Sequence, residues 1–247
     1  MKRDLFILIV LAFAAISIFG TGNKILVQQD SIVSPEFTVA EASWVGPNIQ
    51  TIDDYLSKYV RYPESSMKSK DMGTEVVEFV VTTEGELKDF RVINSVSEAI
   101  DKEMIRALVQ TKGMWNPGLL NGIPVPMKKE VSLVFVPDES YDLVEIAKKH
   151  LDEANQELFV KKNARRALHH FDQAVKIFPY DKDILSLRSL CRYELGDKEG
   201  ARDDWKRIIN MRIGEATQLE TGYLIIKSRQ LKGYEELNKA LEEGGSQ

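Results

Sequence analysis

Trp115–Val136 reads WNPGLLNGIPVPMKKEVSLVFV, and its reading decides how the first half of the chain folds. The Pro117-Gly118 and Asn121-Gly122 pairs supply fixed and positive φ, so the stretch is built to turn twice and then extend. Past the turns, Val131, Leu133 and Phe135 fall on one face of a strand, while Lys128, Glu130 and Ser132 fall on the other. That pattern is a half-buried strand.

Upstream, Ile52, Tyr55, Leu56 and Tyr59 are spaced as one helix face, which Pro63 ends by restricting the residue before it. Thr74–Val81 then alternates, with Val77, Phe79 and Val81 on one side. Glu84-Gly85 turns the chain, and Leu87–Ile93 returns as a second strand. Ile100, Met104, Ala107 and Leu108 mark a second helix that ends near Gly113. The order helix, strand, strand, helix, strand predicts an antiparallel sheet ordered 2-1-3, with the crossover returning the third strand beside the first. The third strand is then a sheet edge with unpaired N–H and C=O groups, able to accept an incoming strand.

The remainder of the chain bounds what such an edge serves. With 247 residues, 43% hydrophobic and 29% charged, the balance is that of an ordinary soluble protein with room for two small domains. A net charge of −5 without a long basic run argues against nucleic acid as the main partner. Cys191 is the lone cysteine and reads as a small core residue. Three histidines and one cysteine make no metal site at a familiar spacing, and adjacent His169 and His170 point about 100° apart on a helix. No phosphate loop, nucleophile elbow or Cys-His pair is present, so the chain reads as a non-enzyme with no cofactor.

Lys2 and Arg3 precede an apolar run, Leu5–Gly20, and a small-x-small Gly20-Thr21-Gly22 follows it. Residues 1–22 are expected to be a signal peptide or a membrane anchor, with the body of the protein outside the cytoplasm. As a helix the run spans about 24 Å, short of a hydrocarbon core of about 30 Å. Residues 23–48, weakly patterned and holding Pro35, Gly46 and Pro47, are expected to be a tether.

From Ser140 a period of 34 residues emerges: Leu151/Leu185, Ala167/Ala201, Phe171/Trp205 and Ala174/Ile208. Small, aromatic and apolar positions at that lag resemble tetratricopeptide repeats, paired helices that bury a shared face by stacking. Pro179 follows the first pair, Leu195-Gly196-Asp197 turns the second, and a degenerate third pair is expected over 216–229 and 234–242. The resemblance implies a groove lined by first-helix side chains, here Asp152, Gln156, Asp183 and Ser186, that takes an unidentified protein or peptide. Phe159 and Tyr193 are expected to pack inward. Lys161-Lys162 and Arg165-Arg166 read as a solvated helix end.

The first block resembles the TonB C-terminal domain, the receptor-binding module of Gram-negative energy transducers. The resemblance rests on Tyr62-Pro63, Gly73–Val81, Glu84-Gly85, Asp101–Arg106, Trp115-Asn-Pro-Gly118, Asn121–Val125 and the closing strand. The expected fold class is therefore α+β: a three-stranded antiparallel sheet with two helices over 49–138, then an all-α stack of helical hairpins over 140–247. The resemblance implies that the TonB box of an outer-membrane transporter adds as a strand along Lys128, Glu130, Ser132 and Val134, near Tyr62 and Pro63. It further implies periplasmic location and inner-membrane motor proteins as possible partners. An open edge also permits a homodimer. Two features depart from the family. About 28 residues separate the apolar run from the domain, reaching on the order of 95 Å extended and about 30 Å as a coil. The run also holds Ser17 but no His for motor coupling. The alternative is a periplasmic adaptor without proton-motive coupling.

Overall fold

The computed structural model describes residues 31–39 and 48–211, with isolated positions between 233 and 239. Residues 1–22 and the third helix pair lie outside the described residues, apart from those positions.

Ile32–Val33 (β1) and Glu36–Phe37 (β2) fall in the stretch expected to be a tether, yet both are paired. Ile32 and Val33 lie opposite Leu120 and Leu119, and Glu36 and Phe37 opposite Asn116 and Trp115. The two short ladders share one antiparallel register, which sets Pro35 opposite Pro117. Neither proline has an N–H to donate, so the pairing breaks between them. Phe37 is the buried anchor of this segment. Its ring centroid lies 5.6 Å from Trp115 and 5.8 Å from Tyr55.

Ile52–Tyr59 (α1) starts at a reciprocal cap in which Thr51 Oγ1 accepts from the Asp54 N–H and the Asp54 carboxylate accepts from the Thr51 N–H. A further short helix, Glu64–Ser69 (α2), follows Pro63, so the first block has three helices rather than the expected two. Pro63 both precludes continuation of α1 and opens α2. Gly73–Val81 (β3) and Leu87–Asn94 (β4) form the expected hairpin, followed by Glu98–Val109 (α3).

Trp115–Asn116 (β5), Gly118–Leu120 (β6) and Ile123–Val125 (β7) lead into Met127–Phe135 (β8). Asn121 (φ 53°) and Gly122 (φ 81°) make the tight β6–β7 turn that the sequence predicts. The other predicted turn is absent. Pro117-Gly118 runs straight from β5 into β6, because residues 31–38 pair along both. The main sheet has the order β4-β3-β8, all antiparallel, as expected. Val77, Phe79, Val81 and Val131 on its inner face pack against Met104, Ala107 and Leu108 of α3, with Trp115 sealing the core. The Trp115 indole N–H donates to Thr111 Oγ1 at 2.8 Å.

The second block is α-helical: Leu143–Asn155 (α4), extended by a π-helical turn at Gln156–Val160, then Ala164–Ile177 (α5), Lys182–Glu194 (α6) and Lys198–Asn210 (α7). Each helix packs on the next. Every residue of the four pairs at the 34-residue lag is buried in one core. Across it, Arg188 of α6 bridges Asp204 of α7 at 2.5 Å and Asp172 of α5 at 3.3 Å. Cys191 is fully buried in that core, as expected, and burial pushes its thiol up to about 12. No helix among the described residues is long and apolar enough to cross a membrane.

Candidate functional site: the open edge of strand β8

The β3–β4 hairpin fixes which way the backbone groups of β8 face. The Thr82 N–H donates to the Glu86 carbonyl at 2.8 Å, so even-numbered residues of β3 turn their N–H and C=O toward β4 and odd-numbered ones toward β8. The β3–β8 register is unbroken from Gly73↔Phe135 to Val81↔Met127, and the irregularities against β4 place their extra residues on β4. Odd-numbered residues of β8 therefore bond to β3. Lys128, Glu130, Ser132 and Val134 present their backbone groups to the open side. No described strand pairs there.

Beside that edge lies a groove of 280 Å³, lined by Ser57, Val60, Tyr62, Leu133, Val134 and Phe135, among others. Its far wall is the segment joining α1 to α2, which α3 holds in place. The Arg61 N–H donates to Glu103 at 2.8 Å, and Arg106 donates to the Tyr59 carbonyl at 3.0 Å while pairing with Glu103 at 2.7 Å. The Arg106 hydrogen bond, opposed by burial and aided by the Arg61 N–H, holds the Glu103 carboxyl below its ordinary range. Tyr62 donates its hydroxyl to the Asp71 carbonyl and stands edge-on to Phe135, with ring centroids 5.5 Å apart. The result is an apolar-floored slot beside four outward backbone groups, the form that strand addition requires.

The predicted contact residues separate on this geometry. Tyr62 and Val134 line the groove, and Val134 is 55% exposed. Pro63 shapes the wall as the residue opening α2. Lys128 pairs with Glu78 at 3.0 Å on the outer sheet face. Glu130 accepts a 2.7 Å hydrogen bond from Tyr180 of the helical block, and Ser132 lies beside the same phenol. Their side chains thus face the second block, while their backbone groups remain at the edge.

That second block meets the sheet at one corner, a feature the sequence does not reveal. Thr74 Oγ1 donates to the Ile177 carbonyl at 2.7 Å, Asn94 Nδ2 donates to the Thr74 and Lys176 carbonyls at 2.7 and 3.1 Å, and Lys176 Nζ donates to the Val96 carbonyl at 3.2 Å. Gly73, with φ of +143°, lets the Lys176 carbonyl approach to where a Cβ would lie 2.5 Å from it. Underneath sits Glu75, fully buried, with one oxygen accepting from the Val96 N–H at 2.8 Å and the other without a hydrogen-bond partner. Burial, opposed by that N–H and reinforced by the Asp101 carboxylate, pushes its carboxyl up to about 8. Its protonated, neutral form is therefore favoured at pH 7.

In the helical block, Asp152 and Gln156 are exposed, Asp183 is half-buried, and Ser186 is buried with its hydroxyl donating to the Lys182 carbonyl at 2.7 Å. Ser186 thus has its side chain buried within the helical block, unlike the exposed Asp152 and Gln156. Phe159 and Tyr193 pack against the core as expected, Tyr193 stacked on Trp205 at 6.1 Å.

Fold, open edge and groove together have the form of a protein-interaction domain. Residues 58–137 match the family model for the Gram-negative bacterial TonB protein C-terminal region, so this block is similar to that domain, which in its family is a non-enzymatic protein-interaction module. The match begins within α1 and leaves residues 31–38 and the helical block outside it. No curated protein and no solved structure matches the chain.

Proposed function

We propose that this protein is a periplasmic connector that binds the TonB-box segment of an outer-membrane transporter as a fourth strand on β8, while its helical block, read as tetratricopeptide repeats, holds a further envelope protein. The observation that carries the reading is the open edge at Lys128–Val134 beside the Tyr62 groove. Backbone pairing would supply affinity and the slot would select side chains. Asp152, Gln156 and Asp183 are the contacts proposed for the repeat partner. Possible motor coupling through residues 1–22 is the finer alternative. The adaptor reading is favoured by residues 31–38, whose docking shortens the free segment further.

The test is a photo-crosslinker at Val134 in intact cells. The expected product is a transporter joined through its box segment. A product of twice the chain's own mass would replace this reading with self-pairing, and failure to capture any transporter would overturn it. An uncoupler should leave the crosslinks largely unchanged. Loss of most of them would assign the protein to energy transduction.

A further inference from the structure

The fold brings together three ligating side chains that the sequence separates. His150 and Glu153 lie one turn apart on α4, and His170 faces them from α5. Glu153 Oε2 is 3.1 Å from His170 Nδ1 and 3.7 Å from His150 Nδ1, and one ligating atom from each of the three residues lies within 4.8 Å of the other two. Both nitrogens are shielded from solvent, and neither makes a directed hydrogen bond. The two rings approach with centroids 5.8 Å apart.

We propose that His150, Glu153 and His170 form a binding site for a divalent transition-metal ion of the zinc type. A tetrahedral ion with bonds of about 2.0–2.1 Å has ligand-to-ligand edges of about 3.3 Å, and the two measured approaches bracket that value. An imidazole pair with one carboxylate is a donor set for zinc and its neighbours rather than for calcium or magnesium, which take oxygen ligands. Orphaned nitrogens aimed at a shared carboxylate oxygen are what an ion between them would satisfy. The ligands stand on two packed helices whose shared core includes Ala147, Ala154, Ala167 and Phe171, so side-chain adjustment on a fixed backbone would close the shell. Three protein ligands leave the fourth position for water or a donor from a partner. A bound ion would fasten α4 to α5 beside the face that carries Asp152 and Gln156. His169, exposed and directed elsewhere, takes no part.

The experiment is calorimetric titration of the full-length, chelator-treated chain with zinc sulfate, paired with the visible spectrum of the cobalt-loaded protein. One ion per chain is expected. His150→Gln and His170→Gln should each weaken binding by roughly 100-fold or more, beyond the effect of losing a supporting group. His169→Gln should bind as the parent does. Metal-free melting curves establish that each variant is folded, and Glu153→Gln, altering a partly exposed side chain, provides the same test if a histidine variant is not. Absence of binding, retention of binding in His150→Gln and His170→Gln, or equal loss in His169→Gln would each overturn the assignment.

Discussion

The Tyr180 phenol donates a 2.7 Å hydrogen bond to Glu130, joining the turn after α5 to the strand that carries the open edge. Burial first, and then the Glu130 charge, pushes the phenol up, so it remains a donor at any physiological pH. Arg207 of α7 donates to the Pro179 carbonyl at 2.7 Å and steadies the same turn. A ligand on β8 and a partner on the helices, as proposed, would thus act on a shared contact.

Tyr180→Phe removes this bond while keeping the ring. The expected loss is about 1–2 kcal/mol of stability, the range for a hydrogen bond to a charged group that is partly solvated. Thermal melts of the intact chain check it, and an unchanged melt would mean that the contact holds nothing.

Val134→Pro removes an N–H that faces the open side and breaks the ladder for any incoming strand. The side chain is exposed, so the domain should remain folded and no longer bind a box peptide. Ser132→Ala, with its backbone intact, should bind nearly as the parent does. Peptide titrations alongside melts separate the two, and a folded proline variant with parental affinity would exclude edge addition.

Glu75 predicts a pH dependence. Its folded pKa of about 8 lies above the ordinary value of 4.5, so the folded state holds a proton that the unfolded state has released between those limits. Stability should therefore fall as pH rises from about 4.5 to about 8, all else equal, and be fully present below that window. Glu75→Gln keeps an acceptor for the Val96 N–H and should flatten this part of the profile in melts at pH 5 and pH 8.

Phe37→Ala should cost about 3 kcal/mol, at the lower end for a buried phenylalanine, because its pocket lies at the periphery of the core. Hydrogen exchange should then quicken at Leu119 and Leu120, which pair with the same docked segment. Unchanged protection there would show that β1 docks independently of Phe37.

Asp204→Ala leaves Arg188 buried without its closest partner and should destabilise the helical block by about 3–5 kcal/mol. Far-ultraviolet melts of the parent and variant measure the loss.

The alternation through Val131, Leu133 and Phe135 made β8 legible, and Val77, Phe79 and Val81 did the same for β3, because one-sided burial writes period two into a sequence. The outer face of β3 is not legible in this way. Thr74 and Val76 are buried because the helical block docks over them, and no local pattern encodes a neighbour a hundred residues away. Glu75 occupies a core position that polarity alone assigns to water. Residues 31–38 escape pattern reading because Pro35 divides them into two pairs too short to show a period. Their signal is the match between Pro35 with its flanking apolar residues and Pro117 with its own. The histidine pair is missed because adjacency draws attention to His169, whereas a helical hairpin brings together His150 and His170.

If residues 1–22 anchor the chain, the docking of residues 31–38 sets how far the domain can travel. Only ten residues lie between Gly20 and Ser31, and at full extension they reach roughly 35 Å. In an anchored chain the β8 edge then works within a shallow layer above the inner membrane, whatever path those residues take. Peeling β1 and β2 away would release the chain as far as Asn48 and nearly triple that radius. In an anchored chain the small ladder opposite Pro117 would in this sense be stored length.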